Sequence, residues 1–123
     1  MLGLSDSYRY FVFTQLVRGN SGINTLFRLI SDHSPLSPIS GDAYVFFSTD
    51  LKKITILRWD GENFILFNKH LIHKRLQVNF KDVEIACFEL SYDDLFTLLR
   101  KNHLVVQRGS QKSKTRVKKS LIG

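Results

Sequence analysis

The sequence predicts a small α+β domain, with an antiparallel β-meander, two short helices and a disordered basic C-terminal tail. Apolar runs typical of strands alternate with turn signals over residues 43–71. Two other segments place apolar residues at helical spacings of three and four. The chain has 123 residues, 43% of them hydrophobic, which suits one core. We therefore expect one domain over residues 1–106, followed by a flexible tail over residues 107–123.

The chain is predicted to begin with a strand and a helix. Residues 8–14 are aromatic and β-branched, as strands prefer. A flexible turn over residues 18–22 follows, and the apolar residues after it recur at spacings of three and four. This pattern predicts a helix over about residues 22–32, which ends before Pro35 and Pro38 because proline cannot continue the hydrogen-bond ladder.

Three strands joined by turns are predicted next, at residues 43–48, 53–59 and 63–70. The Asp-Gly pair between the second and third strands is a strong hairpin signal, because glycine adopts the positive backbone angles of a tight turn. Short connections imply antiparallel neighbours. Both alternating sets of residues in the second strand are largely apolar, so we expect it to be central and covered on both faces.

The domain is predicted to end with a strand and a second helix. Residues 72–82 are polar and basic, and residues 83–90 are typical of one more short strand. Ser91 is in position to cap the following helix, with Asp93 and Asp94 in the first turn, where the helix dipole favours negative charge.

Positive charge is concentrated in the tail. Residues 1–106 hold 12 Lys and Arg against 11 Asp and Glu, whereas residues 107–123 hold six bases and no acid. Such a segment has little to bury and repels itself, so it should be disordered when free. It suits a nucleic-acid partner, because phosphate contacts release counterions. A solvated terminus without a partner is the alternative.

No constellation of residues indicates catalysis. His70 and His73 have a metal-like spacing, but they would point to opposite faces of a strand, and no Cys or acid completes a closed site. Cys87 is expected to be a small core residue. We predict a protein that is not an enzyme and has no metal, cofactor or small-molecule substrate.

The sequence also predicts a cytoplasmic protein with no membrane partner. No apolar run approaches the roughly 18 residues of a membrane helix. The single cysteine cannot form an internal disulfide, and the first residues lack the basic start and apolar run of a secretory signal.

Two blocks, GDAYVFF at residues 41–47 and WDGENF at residues 59–64, resemble the TnpB-type accessory protein family of insertion sequence 66 elements. The resemblance covers about residues 5–102, and it includes Arg18-Gly19 before the first helix. It implies a small bacterial protein that assists transposition beside a larger transposase, which holds the cutting and joining chemistry. The RNA-guided nucleases that share the TnpB label are a different family.

The chain departs from the family pattern in its loops. The family usually has an acid near Gln15, consecutive bases near Val17 and Arg18, and another acid near Ser21, so this chain keeps one of those four charges. The turn at residues 48–53 is also less arginine-rich than usual. We hypothesise that the basic tail compensates for the basic residues that these loops lack.

The sequence therefore predicts a non-catalytic accessory protein of DNA transposition, with DNA and the element's transposase as partners. The predicted phosphate contacts are Arg18, Lys52, Lys53, Lys69, Lys74 and Arg75 in the body, and Arg108, Lys112, Lys114, Arg116, Lys118 and Lys119 in the tail. The alternative is an interaction module that docks onto the transposase through an apolar sheet surface including Tyr8, Tyr10 or Trp59, with incidental DNA affinity.

Overall fold

A computed structural model describes residues 4–33, 36–80, 83–105 and 115–116, with only the backbone given for residues 105, 115 and 116. The helices and strands in these ranges are β1 (Tyr10–Phe13), α1 (Ile23–Ser31), β2 (Ala43–Phe47), β3 (Lys53–Trp59), β4 (Phe64–His70), β5 (Gln77–Asn79), β6 (Cys87–Leu90), α2 (Tyr92–Lys101), β7 (His103–Val105) and β8 (Thr115–Arg116).

The main sheet has the strand order β4-β3-β2-β1-β6, and β8 extends it beside β6. Strands β2, β3 and β4 form the predicted antiparallel meander, so the α+β fold class is confirmed. Strand β1 is parallel to β2 and antiparallel to β6. The short strands β5 and β7 pair in parallel as a separate two-stranded sheet, which the sequence did not predict.

The parallel pairing of β1 and β2 follows from the long connection between them. Parallel neighbours cannot be joined by a tight hairpin, because the chain must return to the same end of the sheet. Residues 14–42 make this return, and α1 lies within them. The connection places the carboxyl ends of both strands at one end of the sheet.

The sheet separates two apolar clusters, one on each face. Tyr10 and Val12 of β1 pack in the cluster that includes the buried leucines of α2. Phe11 and Phe13 pack in the other cluster, with Leu26 and Ile30 of α1. Because strand side chains alternate between faces, each helix covers one face of the same strand.

Strand β3 was expected to be central and covered on both faces. This expectation is confirmed for residues 54–57, which are buried. The carboxyl end of β3 is less covered, since Arg58 and Trp59 are half-buried. The Trp59 ring contacts Phe64 of β4, with centroids 4.9 Å apart.

Both ends of α2 are capped. The Ser91 hydroxyl accepts a hydrogen bond from the Asp94 N–H at 3.1 Å, which confirms the predicted N-cap. Asn102 ends the helix in the left-handed conformation, with φ of 57°, and its N–H donates to the Leu98 carbonyl. The Lys69 ammonium donates to the Leu99 carbonyl and to the Asn102 side chain.

Neither α1 nor α2 has the length and apolar character needed to span a membrane.

The predicted tail lies largely outside the described residues. Within it, Thr115 and Arg116 pair with Leu90 and Glu89 of β6. The predicted disorder of the other tail residues concerns positions that the structure does not describe, and the domain boundary at residue 106 stays a prediction.

The N-cap of α2 should contribute measurably to stability. We expect Ser91→Ala to lower the free energy of unfolding by about 1 kcal/mol, because the Asp94 N–H loses its partner. Urea unfolding of the full chain measures this loss. Ser31→Ala, at the exposed carboxyl end of α1, is the matched control and should change stability far less. Equal effects of the two substitutions would contradict the capping role.

Candidate nucleic-acid interface

Basic residues that are distant in sequence meet at one end of the sheet, which we call the basic end. The carboxyl ends of β1, β2 and β4 and the beginning of β3 all lie there. Helix α2 also ends nearby, since the Gln77 N–H bonds to the Asn102 carbonyl and Lys69 bonds to the same helix end. The basic residues of this end are Arg18, Lys52, Lys53, Lys74, Arg75, Arg100 and Lys101.

The loop after β1 is held against the end of β2 by backbone hydrogen bonds. Val17 forms a parallel bridge to Ser48, donating to the Phe47 carbonyl at 2.9 Å and accepting from the Thr49 N–H at 2.8 Å. Arg18 follows directly and is exposed. The bridge therefore fixes the backbone of Arg18 beside the turn between β2 and β3.

That turn is organised around Ser48 and Asp50. The Ser48 hydroxyl donates to the Asp50 carboxylate at 2.6 Å and accepts from the N–H groups of Lys52 and Lys53. This hydroxyl and the Lys52 N–H lower the pKa of Asp50, because both donate to its charged form. Leu51 has a positive φ of 58° within the same turn. The result is a fixed turn with Lys52 exposed at its end.

The segment after β4 brings two further bases to the same place. The Leu71 N–H donates to the Lys52 carbonyl at 2.7 Å, and the Leu76 N–H donates to the Leu51 carbonyl at 2.6 Å. Both leucines are buried, whereas Lys74 and Arg75 between them are exposed. The two anchored leucines thus present these bases beside Lys52.

A groove of about 560 Å³ lies between the loop after β1 and helix α1. Its lining includes Arg18, Arg28 and Asp32 together with Asn20 and Ser21. The amino terminus of α1 borders it, and its N-cap residue makes no side-chain hydrogen bond to the first turn, which contains no acid. Guanidinium groups and the N–H groups of a first helical turn both favour anions, so the two arginines and the helix end suit this groove to a phosphate group, against the one opposing carboxylate of Asp32.

Acidic residues lie at the opposite end of the sheet, which we call the acidic end. Asp60 and Glu62 are in the turn between β3 and β4, and Asp93 and Asp94 are in the first turn of α2. The basic end has its own acids, since Asp50 is in the turn before β3 and Glu84 precedes β6. The acidic end also holds Arg58 and Arg9, the latter paired with Asp42. The domain is nearly neutral in total, yet most bases lie at the basic end and most acids at the acidic end, so its charge is polarised along the strand direction.

The predicted phosphate contacts divide into three groups. Arg18, Lys52, Lys74 and Arg75 are exposed at the basic end. The Lys53 ammonium donates to the Gly19 carbonyl at 2.7 Å, and the Lys69 ammonium caps α2, so both side chains are engaged within the fold. In the tail, only the backbone of Arg116 is described, in β8. Arg108, Lys112, Lys114, Lys118 and Lys119 lie outside the described residues.

Sequence reasoning missed Arg28, Arg100 and Lys101. Helical periodicity was sufficient to place Arg28 away from the apolar face of α1. It gave no sign that the end of α2 lies beside the end of β4, because that contact joins residues about thirty positions apart.

The alternative docking surface also needs correction, since Tyr10 is fully buried and its hydroxyl bonds to the Ser5 backbone. Tyr8 and Trp59 are half-buried.

The described residues include no group of three or more His, Cys, Asp or Glu side chains that could hold a metal ion. His70 and His73 are both exposed. Cys87 is buried, as the sequence predicted, and burial raises the pKa of its thiol to about 11. Among the residues that the structure describes, no base is hydrogen-bonded to this thiol.

Cys87 should be unreactive in the folded protein. At pH 8 a thiol with a pKa of about 11 is a thiolate in only about one molecule in a thousand. We expect a thiol reagent such as Ellman's reagent to label folded protein at least about a hundredfold more slowly than urea-unfolded protein. Equal labelling rates in the two states would contradict the buried position of the side chain.

A family model described as IS66 Orf2 like protein matches residues 8–107. The chain is also 34% identical over 71 residues to the uncharacterized protein y4jC of Sinorhizobium fredii (strain NBRC 101917 / NGR234). That alignment covers 58% of this chain and 61% of the relative, so the chain spans about three fifths of the relative's length. No solved structure matches the chain.

Proposed function

Because the chain belongs to the IS66 Orf2 like protein family, we propose that it is a non-catalytic accessory protein of transposition that binds DNA through its basic end. Membership implies a transposition-associated accessory role, with the DNA of the element or its transposase as partner. The observation that supports DNA as the partner is the convergence of basic residues from four separate segments at one end of the sheet, opposite the acidic end. From this role we infer that the protein acts in the bacterial cytoplasm.

The exposed bases would contact phosphates. Arg18, Lys52, Lys74 and Arg75 are held on loops that are anchored by backbone hydrogen bonds, so little backbone conformational freedom is lost when they bind. Each phosphate that they neutralise releases condensed counterions, which favours binding at low salt. The polarised charge would also orient the domain as it approaches DNA, with the basic end foremost.

The groove beside α1 would take one phosphate of the same backbone. Arg18 and Arg28 line it, and the amino terminus of α1 borders it. Guanidinium groups bind phosphate in a bidentate way, and helix N–H groups complete the coordination of its oxygens. These contacts give affinity and register, whereas recognition of element ends requires contacts with base edges.

Lys53 and Lys69 have a different part in this proposal. The Lys53 ammonium fixes the loop that presents Arg18, and the Lys69 ammonium fixes the end of α2. We assign them to positioning the basic end rather than to the primary phosphate contacts. The tail bases add contacts beyond the body and compensate for the loop charges that the family usually has.

Removing two exposed charges should weaken DNA binding in a salt-dependent way. We expect Lys52→Gln combined with Lys74→Gln to reduce the slope of log affinity against log salt by about 2, because each lysine contributes about one phosphate contact. Fluorescence anisotropy with duplex DNA over a salt series measures the slope. The charge-preserving pair Lys52→Arg and Lys74→Arg is the control and should keep it. An unchanged slope for the folded Gln variant would contradict the assignment.

The contribution of the tail can be measured in the full chain. We expect Lys112, Lys114, Lys118 and Lys119→Gln to reduce the same slope by up to about 4 and to lower affinity for terminal and scrambled DNA equally. A tail variant that binds as tightly as the unaltered chain would contradict the compensation hypothesis. Absence of DNA binding by the unaltered chain at low salt would contradict the DNA proposal and favour the transposase as primary partner.

A further inference from the structure

Strand β4 is the terminal strand of the main sheet, and no other described strand pairs with its outer edge. The direction of its backbone groups follows from two hydrogen bonds. The Leu71 N–H donates to the Lys52 carbonyl, and the Asp60 N–H donates to the Asn63 carbonyl. Because backbone groups alternate along an antiparallel ladder, odd-numbered residues from 63 to 71 face β3. The backbone groups of the even-numbered residues from 64 to 70 therefore face the free edge.

Apolar side chains lie along this edge on both faces of the sheet. Ile65 is on the α2 face, and Leu66 is on the α1 face, where Phe27 of α1 also contacts Phe64. Ile23 lies one helical turn before Phe27 on the same side of α1. These four residues, Ile23, Phe27, Ile65 and Leu66, are between 36% and 39% exposed. Clustered apolar exposure around an unpaired strand edge is typical of an interface.

The edge lacks the features that usually prevent pairing. Its seven residues include no proline, and no bulge interrupts their pairing with β3. The one lysine in β4, Lys69, has its ammonium drawn onto the end of α2. Natural edge strands commonly use charge, proline or bulges to block association, so β4 is suited to accept another strand.

The charges at the two ends of β4 indicate which strand fits its outer edge. Strand β4 runs from the acidic end to the basic end of the sheet. An antiparallel second copy would place the turn that contains Asp60 and Glu62 beside the partner's Lys74. A parallel copy would place like charges together at both ends, which is unfavourable. Two copies of this edge therefore have complementary charges when they pair antiparallel, but not when they pair parallel.

We propose that the outer edge of β4 binds a second copy of this chain, antiparallel across a two-fold axis, so that one sheet continues through both copies. The register centred on Phe67 overlaps all seven residues of β4. It pairs Leu66 with the partner's Asn68 and Phe64 with the partner's His70, and all of these residues direct their backbone groups outward. This proposal rests on the edge and its charges, independently of DNA binding.

Hydrogen exchange across β4 tests the proposed contact in the unaltered full chain. The outward amides of Phe64, Leu66, Asn68 and His70 should become protected as concentration rises, while the amides facing β3 stay protected throughout. Sedimentation equilibrium of the same samples should show dimers. A chain that stays monomeric over an about hundredfold concentration range overturns the proposal and leaves the edge to a strand of another protein. A dimer whose outward amides remain unprotected overturns it equally.

Two single substitutions test whether dimerisation depends on the edge of β4 or on exposed apolar residues in general. Leu66→Lys should weaken dimerisation at least about tenfold, because the new charge would be buried at the interface. Ile39→Lys makes a similar change at a residue that is 57% exposed and lies in the loop before β2, outside the proposed interface, so it should leave dimerisation unchanged. Equal effects of the two substitutions, with both variants folded by circular dichroism, overturn the assignment of the interface to β4.

Discussion

Burial of β1 on both faces is the constraint on which the rest of the fold depends. Its four residues are at most 1% exposed, and their side chains alternate between the two faces. One face needs α2 and the other needs α1, so the chain must leave β1, cover one face and return to the same end of the sheet. This return makes β1 and β2 parallel and places the loop containing Arg18 beside the turn containing Lys52.

The same arrangement polarises a nearly neutral domain. Bases from the loop after β1, the turn before β3, the segment after β4 and the end of α2 are distant along the chain, and the strand ends bring them together. Acids are placed at the opposite end by the β3–β4 turn and by the first turn of α2, where the helix dipole favours them. In the antiparallel pair of chains proposed above, the two basic ends would point in opposite directions.

The sequence predicted those elements whose signals are local. Alternation and the Asp60-Gly61 turn located the meander, and Ser91 located the beginning of α2. It did not predict the parallel pairing of β1, because the choice of partner depends on contacts far along the chain. Strands β5 and β7 have three residues each and form by pairing with each other, so neither has a periodic signal. Likewise, the sequence identifies Lys53 and Lys69 as charged but does not reveal which carbonyl each ammonium binds.

The partners of β1 also determine the order in which the chain can fold during synthesis. Tyr10 pairs with Ala43 on one side and with Leu90 on the other, so β1 has no local partner. The meander needs only contacts between neighbouring strands and can form earlier, because its loops cost little closure entropy. Strand β1 can pair with β2 once residue 47 has emerged, but its pairing with β6 and its cover by α2 must wait until residues 87–101 emerge. Until then Tyr10 and Val12, which face α2, lack that cover in the nascent chain and are open to aggregation or to chaperone binding.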